Sequence, residues 1–246
     1  MSGVRTEGTS EGRAVPARTD PSRSTSMSVV AVVVVPAAPA LLAGLGGSAD
    51  PLGGLRARAA ALVAETVRAK GADRLVVIGA GRTTRAWPVD APSGAARFTT
   101  GRVPEDALPT DLEIGRALAP SGGGELLLLS VAADASAEDC AAVGGDLAAG
   151  PDAVLVVVAD GPATLTDKAP GHLQPDAAPF AAGLAEALAS ADVAALAALD
   201  PVTCDRLWMR GRAALQVLAA AAPGLRGELV ADEAPFGVQY LLARWT

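Results

Sequence analysis

Short runs of apolar residues alternate along the chain with segments whose apolar residues recur at helical spacing. Four runs predict buried strands, at residues 28–35, 74–78, 125–130 and 153–159. Each is short and rich in valine or leucine, as expected for strands with both faces buried. Such strands need helices on both sides of the sheet, so the pattern predicts an α/β fold with a mostly parallel sheet.

The segments between these runs predict the helices. An Asp-Pro pair supplies an N-cap carboxylate and a proline at the first helical position, and it opens a helix over residues 50–71. A second Asp-Pro pair predicts one long helix over residues 200–222. Residues 82–108 are predicted to be irregular, and the final strands at 227–230 and 238–245 make the sheet mixed. Further helices are expected at 111–119, at 137–149 with an interruption at Gly144-Gly145, at 180–190 and at 192–199.

The first 26 residues lack apolar periodicity and are rich in Ser, Thr, Gly, Pro and Arg. They predict a disordered tail at 1–26, before a single domain over 27–246, and Met27 is an alternative initiator. Prolines and glycines interrupt the apolar stretch 29–45, which is also shorter than the roughly 20 residues of a membrane span. We therefore expect a cytoplasmic protein without a membrane partner.

Composition narrows the possible functions. Half of the 246 residues are apolar, and the net charge of −7 makes nucleic acid a poor partner. Two cysteines form no disulfide scaffold, and Cys140 and Cys204 are interpreted as small apolar fillers. The chain has one histidine, His172, which excludes every metal site that needs two imidazoles.

Ligands of open α/β sheets bind beyond the carboxyl ends of the strands. Four segments lie there: 36–39, 79–82, 160–172 and 232–237. The third is the densest in titratable groups, because it contains Asp160, Lys168 and His172. These side chains are candidates for acid–base catalysis, with His172 as a proton shuttle near neutral pH. The alternative is a polar surface loop in which Asp160 caps backbone amides and Lys168 pairs with a neighbouring aspartate.

Three other features of the sequence each have a simpler interpretation. Asp232 and Glu233 follow a predicted strand and are suited either to a metal or to a solvated turn. Gly79-Ala80-Gly81 matches half of a dinucleotide-binding fingerprint, but no helix with a third glycine follows, which favours a turn. Trp208 and Trp245 are interpreted as core or packing residues.

The chain resembles the LigB-type class III extradiol ring-cleavage dioxygenases, chiefly their small stand-alone actinobacterial members and more distantly MEMO-like proteins. The resemblance spans most of residues 27–245. The more specific motifs are LDP with GRAALQVLA and the terminal DEAPFGVQYLLARW; VPAAPALL in the first strand and DGPATLTDKAPGHLQPDAAPF are weaker.

The resemblance implies a non-haem Fe(II) held by two histidines and one glutamate, and a further histidine as the acid–base residue. Relatives read Pro-His-Pro-Pro after the first strand, whereas Ala37 stands here at the position of the ligand histidine. Glu233 is the counterpart of the carboxylate ligand, and His172 lies where the acid–base group is expected. Alanine offers no lone pair, so we expect no bound cofactor and a vestigial Glu233.

Three hypotheses follow. In the first, the chain is a LigB-like pseudoenzyme that binds a small molecule or a partner. In the second, it is a metal-independent enzyme in which Asp160, Lys168, His172 and Glu233 act on a small aromatic or anionic substrate. In the third, it is a structural subunit that forms a homodimer or pairs with a homologue.

Overall fold

The computed structural model describes Met1, residues 29–122 and residues 124–246. In these residues the chain forms one α/β domain with seven strands in a single mixed sheet and seven α-helices. The predicted fold class is therefore confirmed. The predicted tail, residues 1–26, lies outside the described residues except for Met1.

Four parallel strands form the middle of the sheet, and antiparallel strands extend it on both sides. Along the sheet the strands follow the order β3-β4-β2-β5-β1-β7-β6. β3 is antiparallel to β4, and β7 is antiparallel to both β1 and β6. The strands are β1 (Val29–Val35), β2 (Arg74–Gly81), β3 (Arg85–Trp87), β4 (Glu125–Ala132), β5 (Ala153–Val158), β6 (Gly227–Glu233) and β7 (Tyr240–Trp245).

Helices cover both faces of the sheet, as the unbroken apolar strands require. One face packs on α1 and α2, and the other packs on α3, α4, α5 and α7. None of the helices in the described part of the chain has the length and apolar character that crossing a membrane requires. The helices are α1 (Gly53–Lys70), α2 (Thr110–Leu118), α3 (Ala137–Ala148), α4 (Ala177–Ser190), α5 (Val193–Ala197), α6 (Pro201–Arg206) and α7 (Arg212–Ala221).

The predicted turn at Gly79-Ala80-Gly81 is wrong, because these residues continue β2. They pair in register with Ser130, Val131 and Ala132 of β4. The segment predicted to be irregular also contains β3, a three-residue edge strand on β4. A strand of three residues is too short to show an alternating pattern, so its pairing partner decides its structure.

The long helix predicted over residues 200–222 is broken between α6 and α7. Gly211 lies so close to the end of β5 that a Cβ there would be 2.8 Å from the carbonyl oxygen of Asp160. Trp208 takes a left-handed backbone with φ 54° and is 53% exposed, so it is not a core residue, although its ring packs beside Gly171. Trp245 is fully buried, as predicted. The break brings residues 207–211 to the edge of the sheet where β5 ends.

The two Asp-Pro signals have different outcomes. Asp200 caps α6 by accepting a hydrogen bond from the backbone N–H of Thr203 at 2.8 Å. Asp50 does not cap α1, which begins at Gly53 after Leu52; it pairs instead with Arg56. Both Asp-Pro pairs therefore mark the start of a helix, but only Asp200 acts as the predicted cap.

Side chains of α2 hold the irregular segment that precedes it. Glu113 accepts a hydrogen bond from the backbone N–H of Gly94 at 2.9 Å. Arg116 donates to the carbonyl oxygens of Val89 and Ala91 at 2.9 and 2.8 Å. Because Glu113 is 7% exposed, its partners are shielded from competing water. These contacts fix the N-terminal end of α2 beside β2.

Candidate functional site

The carboxyl ends of β1, β5 and β2 meet at one edge of the sheet. In the strand register, Val35 of β1 faces Val158 of β5, and Ile78 of β2 faces Val157. Two residues further on, the loop at Ala37 is level with Asp160. Neighbouring strands are about 4.8 Å apart, so the three strand ends span roughly 10 Å.

Asp160 lies at this edge, directly after β5. Its Oδ1 accepts a hydrogen bond from the backbone N–H of Ala37 at 2.7 Å, across 123 residues of sequence. The contact is the amide cap that the simpler interpretation of this loop expects. It also ties the loop after β1 to the loop after β5, so that the partly buried carboxyl has a fixed orientation.

Asp111 reaches the same edge from the first turn of α2. Its Oδ2 accepts a hydrogen bond from the backbone N–H of Ala80 at 2.9 Å. Gly79 permits this approach, because a Cβ at that position would lie 2.4 Å from the Cβ of Asp111. Sequence reasoning missed Asp111 as a site residue; the available signal was a glycine near a strand end, which leaves room for a neighbouring helix.

Burial raises the pKa values of both carboxyls. The pKa of Asp111 rises to about 7, although the Ala80 hydrogen bond and the charges of Arg210 and Arg97 counteract the desolvation. The pKa of Asp160 rises to about 8, through desolvation first and then through the negative charge of Asp111, against the hydrogen bond from Ala37. The two carboxyls therefore interact, and near neutral pH the pair retains a proton.

Tyr240, at the first position of β7, places a hydroxyl near Asp160. Its side chain is 6% exposed, and burial together with the charge of Asp160 raises the pKa of its phenol to about 12. The hydroxyl therefore stays protonated and can donate a hydrogen bond. Among the described residues it makes no hydrogen bond, and its oxygen is not enclosed, so solvent reaches it.

Two arginines, Arg210 and Arg97, place positive charge near Asp111 and oppose the rise of its pKa. Arg97 uses its guanidinium to hold its own loop, donating to the carbonyl oxygens of Gly94 and Leu108 at 2.9 and 3.2 Å. Arg210 lies in the break between α6 and α7, and in the described part of the chain it has no hydrogen-bonded partner. Its donors are therefore available to a ligand.

The other predicted catalytic residues lie on the surface of the loop after β5. Lys168 and His172 are both exposed. His172 has a left-handed backbone with φ 56°, and its Nδ1 lies 3.3 Å from the carbonyl oxygen of Asp167. Neither side chain makes a hydrogen bond to Asp160 among the described residues. Their catalytic roles stay predictions.

Glu233 lies at the end of β6, and its carboxylate pairs with the guanidinium of Arg58 from α1. The neighbouring Asp232 accepts a hydrogen bond from Nε2 of Gln239 at 3.0 Å. Both partners come from within the domain, so these carboxylates have structural contacts. The role of Glu233 as a vestigial metal ligand stays a prediction.

The residues at this edge do not fit the iron that the resemblance implies. Ala37 offers the edge only a methyl group and a backbone N–H, and that N–H is donated to Asp160. Within the described ranges no three side chains of His, Cys, Asp or Glu converge as a metal site would need. Asp111 and Asp160 offer oxygens alone, whereas the iron site needs imidazole nitrogens.

Two clefts lie at the opposite edge, where the parallel strands begin. One is an apolar cleft of about 310 Å³ between the sheet and α3, with Arg74 and Asp146 as its charged residues. The other is a polar groove of about 390 Å³ around Asp73 and Asp152. We place the candidate site at the carboxyl edge, because the interacting carboxyls and the unpartnered phenol are there.

Comparisons with known proteins add no assignment. A scan against protein-family models finds no match to the chain, and a search of curated proteins finds no significant relative.

Proposed function

We propose that the chain is a LigB-like domain that has lost the iron chemistry of its relatives and binds a small molecule at the carboxyl edge of the sheet. The observation that carries the proposal is a pair of carboxyls at this edge, each held by a backbone N–H. Asp111, in the first turn of α2, and Asp160, after β5, reach the edge where a strand-end ligand site belongs. In the resemblance, Ala37 takes the position of a ligand histidine.

Electrostatics supports a small, polar ligand. Each carboxyl uses one oxygen to accept a backbone N–H, and its other oxygen makes no hydrogen bond in the described structure. Those free oxygens are also absent from the enclosed unpaired atoms, so solvent reaches them. A ligand with hydroxyl or carbonyl oxygens can therefore pair with the site directly.

Metal content and ring cleavage test the proposal. The full-length chain is purified, incubated anaerobically with Fe(II), desalted and analysed for iron by elemental analysis. Catechol and O2 are then added, and ring-cleavage product and oxygen uptake are measured. We expect far less than one iron per chain and no cleavage above the rate of free Fe(II).

The double variant Asp111→Asn with Asp160→Asn is the matched control. If the carboxyl pair alone retains traces of iron, the variant loses them. One firmly held iron per wild-type chain, together with catechol cleavage, would overturn the proposal.

A further inference from the structure

We propose that Asp111, Asp160 and Tyr240 form a metal-independent proton-transfer centre that enolises a small 2-oxo acid, whose carboxylate binds to Arg210. The inference rests on the proposed small-molecule site and adds a substrate class and a reaction to it. Asp160 was a catalytic candidate from the sequence, whereas its neighbours at this edge were not predicted.

The two carboxyls are held in place before any ligand binds. They come from separate elements, and the backbone N–H groups of Ala37 and Ala80 fix one oxygen of each. The Ala80 amide belongs to β2, and the Ala37 amide lies two residues beyond the end of β1. Both carboxyls are therefore tied to the carboxyl edge of the sheet.

Tyr240 is the independent sign of a ligand. Its ring is nearly enclosed, yet its hydroxyl lacks a hydrogen-bond partner among the described residues and lies close enough to Asp160 to feel its charge. The oxygen of this hydroxyl is nevertheless open to solvent. A ligand oxygen that enters between Tyr240 and Asp160 could therefore accept the phenol's hydrogen bond.

The charges favour an anion. Near neutral pH the carboxyl pair retains a proton, so it contributes about one negative charge, while Arg210 and Arg97 contribute two positive charges. Arg97 is bound to the carbonyl oxygens of its own loop, and Arg210 is the arginine with available donors. A carboxylate on Arg210 neutralises the remaining positive charge.

The reaction needs a base, an acid and a donor to oxygen. The ionised carboxylate removes a proton from the carbon next to the ketone, and that C–H electron pair forms the carbon–carbon double bond. The carbonyl π electrons move to oxygen, which takes the proton of the neutral carboxyl and becomes the enol hydroxyl. Tyr240 donates a hydrogen bond to this oxygen as its negative charge develops. The carboxyls exchange protonation states, and no oxidant or reductant is consumed.

Hydrogen–deuterium exchange tests this chemistry directly. The full-length protein is incubated with 2-oxobutanoate in D2O near neutral pD, and proton NMR follows loss of the C3 protons. We expect exchange above the buffer rate with wild type. Asp111→Asn and Asp160→Asn should each lower the rate by about 100-fold or more, because each removes a general acid–base group.

A matched control and two milder variants complete the test. Asp152→Asn changes an exposed carboxylate at the opposite edge of the sheet and should exchange like wild type. Arg210→Gln should raise the half-saturating concentration of 2-oxobutanoate by about 10-fold and leave the rate at saturation nearly unchanged. Tyr240→Phe should lower the rate at saturation by about 10-fold.

The outcomes separate this inference from the proposed function. Wild-type exchange no faster than that of the double Asn variant overturns the enolisation, whatever the protein binds. If an Asp→Asn variant fails to fold by circular dichroism, Arg210→Gln and Tyr240→Phe decide, and unchanged exchange in both overturns it. If calorimetry detects binding of 2-oxobutanoate but no exchange occurs, the enolisation is wrong and the small-molecule site is supported. Stoichiometric iron together with catechol cleavage would overturn the proposed function itself.

Discussion

At the scale of single residues, burial and partners separate the acidic side chains into two groups. Asp176 and Asp200 are exposed, and hydrogen bonds from Arg206 and Thr203, respectively, lower their pKa values. Asp111 and Asp160 are partly buried, and desolvation raises theirs to about 7 and about 8. Carboxyls of the second kind change protonation in the range where proteins normally operate, which makes them suited to proton transfer.

Asp160→Asn should change how stability depends on pH. The pKa of Asp160 is about 8 in the folded protein and near its ordinary value of 3.8 in the unfolded chain. The folded state therefore binds the proton more tightly, and its contribution to stability, complete below pH 4, is lost as pH rises to about 8. Asn cannot ionise, so the variant should gain stability relative to wild type across this range.

Urea unfolding of both proteins at pH 5 and pH 8 measures this difference. Asn keeps a carbonyl oxygen for the Ala37 N–H, so the comparison isolates the charge. An identical difference in unfolding free energy at the two pH values would show that Asp160 titrates normally.

Glu233→Gln should leave the fold nearly unaffected. The carboxylate forms an ion pair with Arg58, and both side chains are more than 40% exposed. Exposed pairs contribute about 0–1 kcal/mol, so we expect a loss of unfolding free energy within that range. Denaturant unfolding measures it, with Glu228→Gln, which removes the exposed pair to Arg244, as the comparison. A loss of several kcal/mol would show that Glu233 has a larger structural role.

Sequence reasoning found Asp160 because it follows an apolar strand directly. It did not find Asp111, Arg210 or Tyr240, because they lie far apart in sequence and meet only through folding. The pair at Asp160 and Ala37 is separated by 123 residues, and no local pattern reports such a distance. The sequence reveals a titratable site residue only when residues near it in the chain determine its environment.

At the scale of elements, the glycine pair that was predicted to interrupt α3 lies within the helix. The first of the two glycines allows α3 to pack closely on α7. α3 runs unbroken through Gly144 and Gly145. A Cβ at Gly144 would lie 2.5 Å from the carbonyl oxygen of Val217 and 2.6 Å from Cβ of Ala220. A Cβ at Gly145 would meet nothing within 4 Å. The first glycine therefore permits close helix packing, and the second does not contribute to it.

Gly144→Ala and Gly145→Ala form a matched pair of variants. The first should destabilise the protein by about 1–3 kcal/mol, because the methyl group collides with the backbone of α7. The second should stabilise it by about 0.5–1 kcal/mol, since alanine is the better helix former and the site is open. Urea unfolding distinguishes them, and equal effects would contradict the packing described here.

The strands could be predicted more reliably than the break between α6 and α7. Apolar runs of valine and leucine identify buried strands from their own residues. The break at residues 207–211 depends on Gly211 meeting the end of β5, which is a tertiary contact. The same contact places Arg210 at the carboxyl edge, so the error in the helix prediction and the missed arginine have one cause.

At the scale of the whole molecule, strand order creates the site. β5 lies between β1 and β2 in the sheet, although it follows both in the chain. Its end therefore places Asp160 between the loop at Ala37, after β1, and Ala80 in β2. β7 continues the sheet beyond β1 and supplies Tyr240. The fold class was evident from the alternation of strands and helices, but this order was not.

The proposed site depends on two carboxyls, Asp111 and Asp160, whose pKa values are raised into the neutral range. Carbon-13 NMR of aspartate carboxyls over pH 3 to 10, in wild type and in Asp111→Asn, measures this most directly. We predict two wild-type carboxyls titrating near pH 7 and 8, and a lower pKa for Asp160 once the charge of Asp111 is removed. Two carboxyls titrating independently near pH 4 would contradict the account.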